Sequence, residues 1–191
     1  GTKHRKAYHI LSRLDDVGGE INAYTTKEET AFYAGFLNHH YDRAMELISD
    51  IVFNSVFPFN ELEREREVIA DEINSYNDNP SDLIFDDYEE LIFAGHPISR
   101  NILGTPSTID TFDQAAIRRF MARTYNTEEM VLCSVGKIPL AQLIKLADKY
   151  FSWVGTNNRR FIRKPFQNYN ATTRVIDKGT HQAHCIIGNL A

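Results

Sequence analysis

A periodic apolar run, stopped by a glycine pair and followed at once by two alternating runs, commits the start of this chain to a helix and then a hairpin. Ala7, Ile10, Leu11, Leu14 and Val17 recur at helical spacing, which predicts a helix over His4 to Val17. Gly18-Gly19 ends it, because glycine accepts the left-handed backbone that closes a helix. Glu20 to Thr25 and Thr30 to Leu37 then read as strands with a turn at Lys27-Glu28, an antiparallel hairpin.

Helical periodicity resumes from His40 to Phe53. Further helices are predicted from an Asn60 N-cap to about Tyr76, from a Ser81 cap to Phe93, from Asp110 or Thr111 to near Tyr125, and from Pro139 to near Trp153. Asn77 to Pro80 and His96 to Thr108 read as loops. Met130 to Val135, Arg174 to Asp177 and His181 to Gly188 read as strands, the last two without a partner in the chain. Strands and helices are segregated and helices predominate, so the expected fold is α+β, a layered antiparallel-rich sheet covered by helices. That sheet is expected to be incomplete, since few strands face many helices. The expected organisation is a main domain over 1–154 lacking its first strands, a polar and basic linker over 155–172, and the first strands of a second domain over 173–191.

Composition narrows the partners. With 191 residues, 42% hydrophobic and 25% charged, the chain is large enough for a core and too apolar for wholesale disorder. A net charge of −5 without a basic tail argues against nucleic acid, and no apolar run approaches bilayer length, so neither nucleic acid nor membrane is expected as a partner. Cys133 and Cys185 form no CxxC and sit in apolar runs, which predicts buried free thiols and fits a reducing, cytoplasmic setting.

Glu65 and Glu72 stand two helical turns apart, so both carboxylates leave nearly the same face of their predicted helix. Taken alone, a Glu/Arg-rich helix is a solvated face, with Glu61–Arg64 and Glu63–Arg66 as i,i+3 pairs. The histidines do not form an evident metal site. His39 and His40 are adjacent at a helix start and face different ways, and His181 and His184 on a strand would point to opposite faces.

Two longer stretches resemble a known family. Gly18-Gly19-Glu20-Ile21-Asn22-Ala23-Tyr24-Thr25-Thr26-Lys27-Glu28-Glu29-Thr30 resembles the substrate-strand region of the pitrilysin/insulinase zinc metallopeptidases. Glu63-Arg64-Glu65-Arg66-Glu67-Val68-Ile69-Ala70-Asp71-Glu72-Ile73 resembles their second signature, and Asp78-Asn79-Pro80 follows in the family order. Mitochondrial processing peptidases and their bacterial relatives look nearest. The family's first signature, H-x-x-E-H, occurs nowhere among the seven histidines. The family's spacing counted back from Glu72, and the Gly1-Thr2 junction, both place that motif just ahead of Gly1. The chain thus resembles the N-terminal half of such an enzyme, begun after its histidine helix.

The resemblance implies Glu72 as the third zinc ligand, Glu65 as an auxiliary carboxylate beside the metal, and Asn22, Ala23 and Tyr24 as the sheet edge on which a peptide adds as an extra strand. Read from the residues alone, Asn22 is a turn-side polar residue and Tyr24 a core aromatic. The implied cofactor is Zn2+. The implied activity is a zinc-dependent endopeptidase acting on peptides or unfolded polypeptide, with the second half of the same protein or a homologous subunit as partner. The alternative is a non-catalytic homologue serving as the substrate-binding or structural partner of a peptidase. By itself the chain, without two ligands and the general base, is expected to be inactive.

Overall fold

The computed structural model describes residues 1–125, 127–156, 163–179 and 181–190. The chain divides into two compact units, one of Gly1–Thr25, Thr30–Leu62 and Asp113–Arg160, the other of Thr26–Glu29, Glu63–Phe112 and Phe161–Ala191.

In the first unit, helix α1 (Ala7–Asp15) leads into strands β1 (Glu20–Thr25) and β2 (Thr30–Gly35). The strands pair antiparallel in a register running from Glu20 opposite Gly35 to Thr25 opposite Thr30. A short 3-10 turn over Asn38–His40 enters helix α2 (Tyr41–Asn54). Leu14, Ala44 and Leu47 are fully buried where α1 meets α2, and Ile21, Ala34 and Phe36 of the hairpin pack against them. The hairpin thus lies as a second layer on the helix pair, the cover that an isolated two-stranded ribbon needs to be stable. Burying a leucine side chain contributes about 1.5–3 kcal/mol, so Leu14 and Leu47 are the anchors of this core.

Helix α1 starts at Ala7, the first residue of its apolar period and three residues after the expected start at His4. Thr2 Oγ1 accepts from the His4 and Arg5 amides at 3.2 and 2.9 Å, which turns the chain before the helix begins. Thr2 also bridges antiparallel to Ser55, and the Lys3 amide donates to the Asn54 carbonyl at 2.9 Å. Helix α7 (Leu140–Phe151) docks on the same α2, with Phe53 edge-on to Phe151 and Trp153 and Ser49 Oγ donating to the Tyr150 carbonyl at 2.6 Å. Pro139 is its N-cap residue, one position before the helical start expected for it.

Helix α3 (Phe59–Asn77) runs from the first unit into the second. Asn60 lies inside it rather than capping it, because the Pro58 carbonyl already accepts from Glu61 and Leu62. In the second unit, helix α4 (Pro80–Ile92) is capped by Asn79, whose side chain accepts from the Ser81 amide, so the cap sits two residues before Ser81. The loop expected over His96 to Thr108 holds a 3-10 turn at Pro97–Ser99 and the start of the short helix α5 (Pro106–Ile109). Back in the first unit, helix α6 (Gln114–Thr124) takes Asp113 as its cap.

Three expected strands do not form among the described residues. Met130–Val135, Arg174–Asp177 and His181–Gly188 make no ladder among the described residues, and Val131, Val135, Val175 and Ile187 are at least 90% exposed. A strand exists through the neighbour that takes its hydrogen bonds, and β-prone composition cannot supply one. Exposure also overturns the expectation for Cys133 and Cys185, which are free and at the surface. Part of the expected linker, 157–162, lies outside the described residues. Of its described basic residues, Arg163 and Lys164, the first meets Glu28 at 3.4 Å. No described helix is long and apolar enough to cross a membrane.

Candidate functional site

The residues singled out by the sequence fall on two elements. Asn22, Ala23 and Tyr24 lie in the middle of β1, opposite Tyr33, Phe32 and Ala31. Strand alternation sends Ile21 to the core side and turns Asn22 and Tyr24 to the other face. Tyr24 is therefore not a core aromatic: it is about half exposed and tilted against Tyr33 with ring centroids 6.1 Å apart. The Ala23 amide donates to Asn22 Oδ1 at 2.8 Å, a contact made by the strand with its own side chain rather than with a neighbouring strand.

Glu65 and Glu72 occupy the part of α3 that belongs to the second unit. Both are exposed, as is Val68 between them, whereas Ile73, about 100° round the helix from Glu72, is buried. The helical period thus resolves into one apolar stripe inward and one face carrying two carboxylates outward. Glu63 and Arg66 form the expected i,i+3 pair, and Arg66 also donates to the Phe112 carbonyl at 2.8 Å. Among the described residues, neither Glu65 nor Glu72 has a hydrogen-bond or ion-pair partner.

Among the described residues, no three His, Cys, Asp or Glu side chains gather as a metal cage. A catalytic zinc takes three protein ligands and keeps one position open. Glu72 offers a solvent-facing carboxylate free of internal partners, which fits one ligand of a site shared with groups outside these residues.

A second polar cluster is invisible to local sequence pattern. Lys27, at the tip of the hairpin turn, places Nζ 2.6 Å from Glu89 and 3.3 Å from Asp86 on α4. Asp86 also accepts from Tyr76 Oη at 2.7 Å, at the end of α3, and from Asn101 Nδ2 at 2.8 Å. Burial works to lower the Lys27 ammonium pKa, but the adjacent Glu89 and Asp86 carboxylates outweigh it and hold the group above its ordinary value. The Tyr76 phenol is pushed well above its usual range, first by burial and then by its bond to Asp86. Lys27 reads in the sequence only as a turn residue, since its partners lie some sixty positions away and no periodicity joins them. The one available signal is the acidic run Asp86-Asp87 and Glu89-Glu90, whose charge calls for a cation from elsewhere.

The family described as Insulinase (Peptidase family M16) matches residues 1–106, and the one described as Peptidase M16 inactive domain matches residues 111–191. An uncharacterized zinc protease of Rickettsia bellii is 37% identical over 152 residues, covering 80% of this chain and 37% of the relative. The uncharacterized zinc protease YmxG of Bacillus subtilis is 33% identical over 189 residues, covering 98% and 46%. A Schizosaccharomyces pombe protein named "Probable mitochondrial-processing peptidase subunit beta" is 31% identical over 151 residues, covering 79% and 33%. The chain therefore spans less than half the length of these relatives. The fold matches a protease from Helicobacter pylori with a TM-score of 0.78 at 20% identity, over 89% of this chain and 41% of that one. It matches pitrilysin with a TM-score of 0.75 at 24% identity, over 88% and 19%.

Proposed function

This chain belongs to the insulinase family of peptidases, M16, and on that footing we propose that the whole protein is a zinc-dependent endopeptidase acting on peptides or unfolded polypeptide segments. The observation that carries this reading is the exposed, uncommitted carboxylate of Glu72 on α3, inside the segment that matches the peptidase family. Glu72 would hold the metal together with imidazoles from the part of the whole protein outside this chain. Glu65, two turns earlier on the same face, would steady that site without touching the metal. Zinc, when bound, supplies Lewis acidity toward a peptide carbonyl and acidifies water.

Strand β1 has the task of presenting the peptide. An extended substrate laid along its edge would be held by backbone hydrogen bonds that tolerate many sequences. A substrate carbonyl can displace Asn22 Oδ1 from the Ala23 amide, which frees the Asn22 carboxamide to hold the segment to be cut. Tyr24, half exposed beside Tyr33, offers an aromatic face for a substrate side chain. The second half of the same protein, or a homologous subunit, would close over the bound peptide. The 191-residue chain by itself would not hydrolyse peptides, because none of its seven histidines stands in an H-x-x-E-H motif.

In the whole protein, Glu72→Gln is expected to lower bound zinc and abolish cleavage of an unfolded peptide. Full zinc content and normal turnover in that variant would refute the assignment.

A further inference from the structure

Asp86 is the meeting point of three separate stretches of chain. Lys27 reaches it from the hairpin turn, Tyr76 from the last turn of α3, and Asn101 from the loop after α4. Tyr76 lies four positions after Glu72, about one helical turn, so the bond to Asp86 fixes the end of the helix that carries the proposed ligand. The turn itself is tightly made: the Thr26 amide donates to the Glu29 carbonyl at 2.8 Å, and Thr26 Oγ1 accepts from the Glu28 and Glu29 amides at 3.3 and 3.2 Å. Lys27 projects from that rigid turn, and its side chain is 17% exposed against 20% for Asp86. An ion pair this far withdrawn from water is oriented more firmly than an exposed one, because solvent and salt compete for it less.

We propose that Lys27 and Asp86 are positioning residues that fasten the turn at the end of the peptide-accepting strand to the helix pair α3–α4, so that β1 is rigid before a substrate arrives. The inference rests on the reading of β1 as the substrate edge. A peptide that adds to a strand must order itself and whatever part of the strand is still mobile, and a fastened turn removes the second cost. The pair touches no reacting atom. Its loss therefore weakens substrate binding and leaves the metal and the chemical step in place. Glu89 holds the same ammonium at 2.6 Å and shares the load, while Asp86 links the turn to α3 through Tyr76.

The test is made on the zinc-loaded whole protein with Lys27→Met, Lys27→Arg and Asp86→Asn. Lys27→Met should raise KM for an unfolded peptide about 10-fold with kcat within about twofold, the pattern of lost binding that is uniform along the reaction. Bound zinc should stay at the parent level. Lys27→Arg should restore most of the affinity, since its guanidinium spans the same two carboxylates. Deuterium exchange at the amides of residues 22–30 should speed up in Lys27→Met and Asp86→Asn. An unchanged KM together with unchanged exchange in Lys27→Met would overturn the proposal. So would a fall in kcat and zinc with KM intact. Should the parent protein cleave no peptide at all, the peptidase reading fails, and the exchange measurement still decides whether the fastening exists.

Discussion

Thr2 Oγ1 donates to Asp50 Oδ2 at 2.7 Å across 48 positions of sequence, tying the first residues of the chain to the middle of α2. Arg5 Nη1 donates to the same oxygen at 2.8 Å, and Asp50 is only 4% exposed. Removing that carboxylate strands a hydroxyl and a guanidinium nitrogen with no acceptor. Asp50→Ala should therefore cost about 2–4 kcal/mol in urea unfolding, and Asp50→Asn, which keeps an acceptor, clearly less. Equal midpoints for Asp50→Ala and the parent would show that this contact contributes nothing.

The glycine pair after α1 should respond unequally to alanine. Gly18 has φ +69° and open space around it, so Gly18→Ala suffers only the left-handed backbone, about 1 kcal/mol. At Gly19 an added Cβ would stand 2.9 Å from the Gly35 carbonyl oxygen and 3.2 Å from Phe36 Cβ, at the open end of the hairpin. Gly19→Ala should cost more, about 1–3 kcal/mol, and push β1 away from β2 at Glu20. Thermal unfolding of both variants orders them, and the reverse order would contradict the close approach.

Acid should weaken one surface tie between α2 and α7. A hydrogen bond from Lys149, 2.7 Å away, holds the Asp42 carboxyl below its ordinary value of 3.8. The folded chain then keeps the charged form where the unfolded chain binds a proton. The contribution is complete above pH 3.8 and is lost as the pH falls through the depressed folded value. Both side chains are more than half exposed, so the effect is small and screened by salt. Asp42→Asn should flatten the acid limb of a stability–pH curve at low ionic strength and change little in concentrated salt.

In the whole protein, Glu65→Gln should leave stoichiometric zinc but lower peptide cleavage by roughly 10–100-fold, the range typical of groups that orient a metal's ligands. Zinc titration alongside kcat separates this from Glu72→Gln. Loss of zinc in both variants to the same degree would make Glu65 a ligand in its own right.

The local elements were legible where short-range chemistry decides them. Gly18-Gly19 announces the end of α1 and alternation the β1–β2 hairpin, because turns and faces depend on neighbours within a few residues, while the cap of α4 is Asn79 and not the expected Ser81. Errors arose where a residue's state depends on distant atoms. Thr2 delays α1 because Ser55 and Asp50 hold it, and Val131 and Ile187 look strand-like yet find no ladder.

By itself the sequence determined the helix–hairpin–helix order, the sharing of one helical face by Glu65 and Glu72, and the family, since these are written in spacing and local pattern, whereas the exposure of that face came from the structure. Only the tertiary structure decided that Tyr24 faces solvent, that Asp50 buries its charge between Thr2 and Arg5, and that Lys27 finds Asp86. Those contacts join positions tens of residues apart, and no local periodicity encodes which distant carboxylate a lysine will meet.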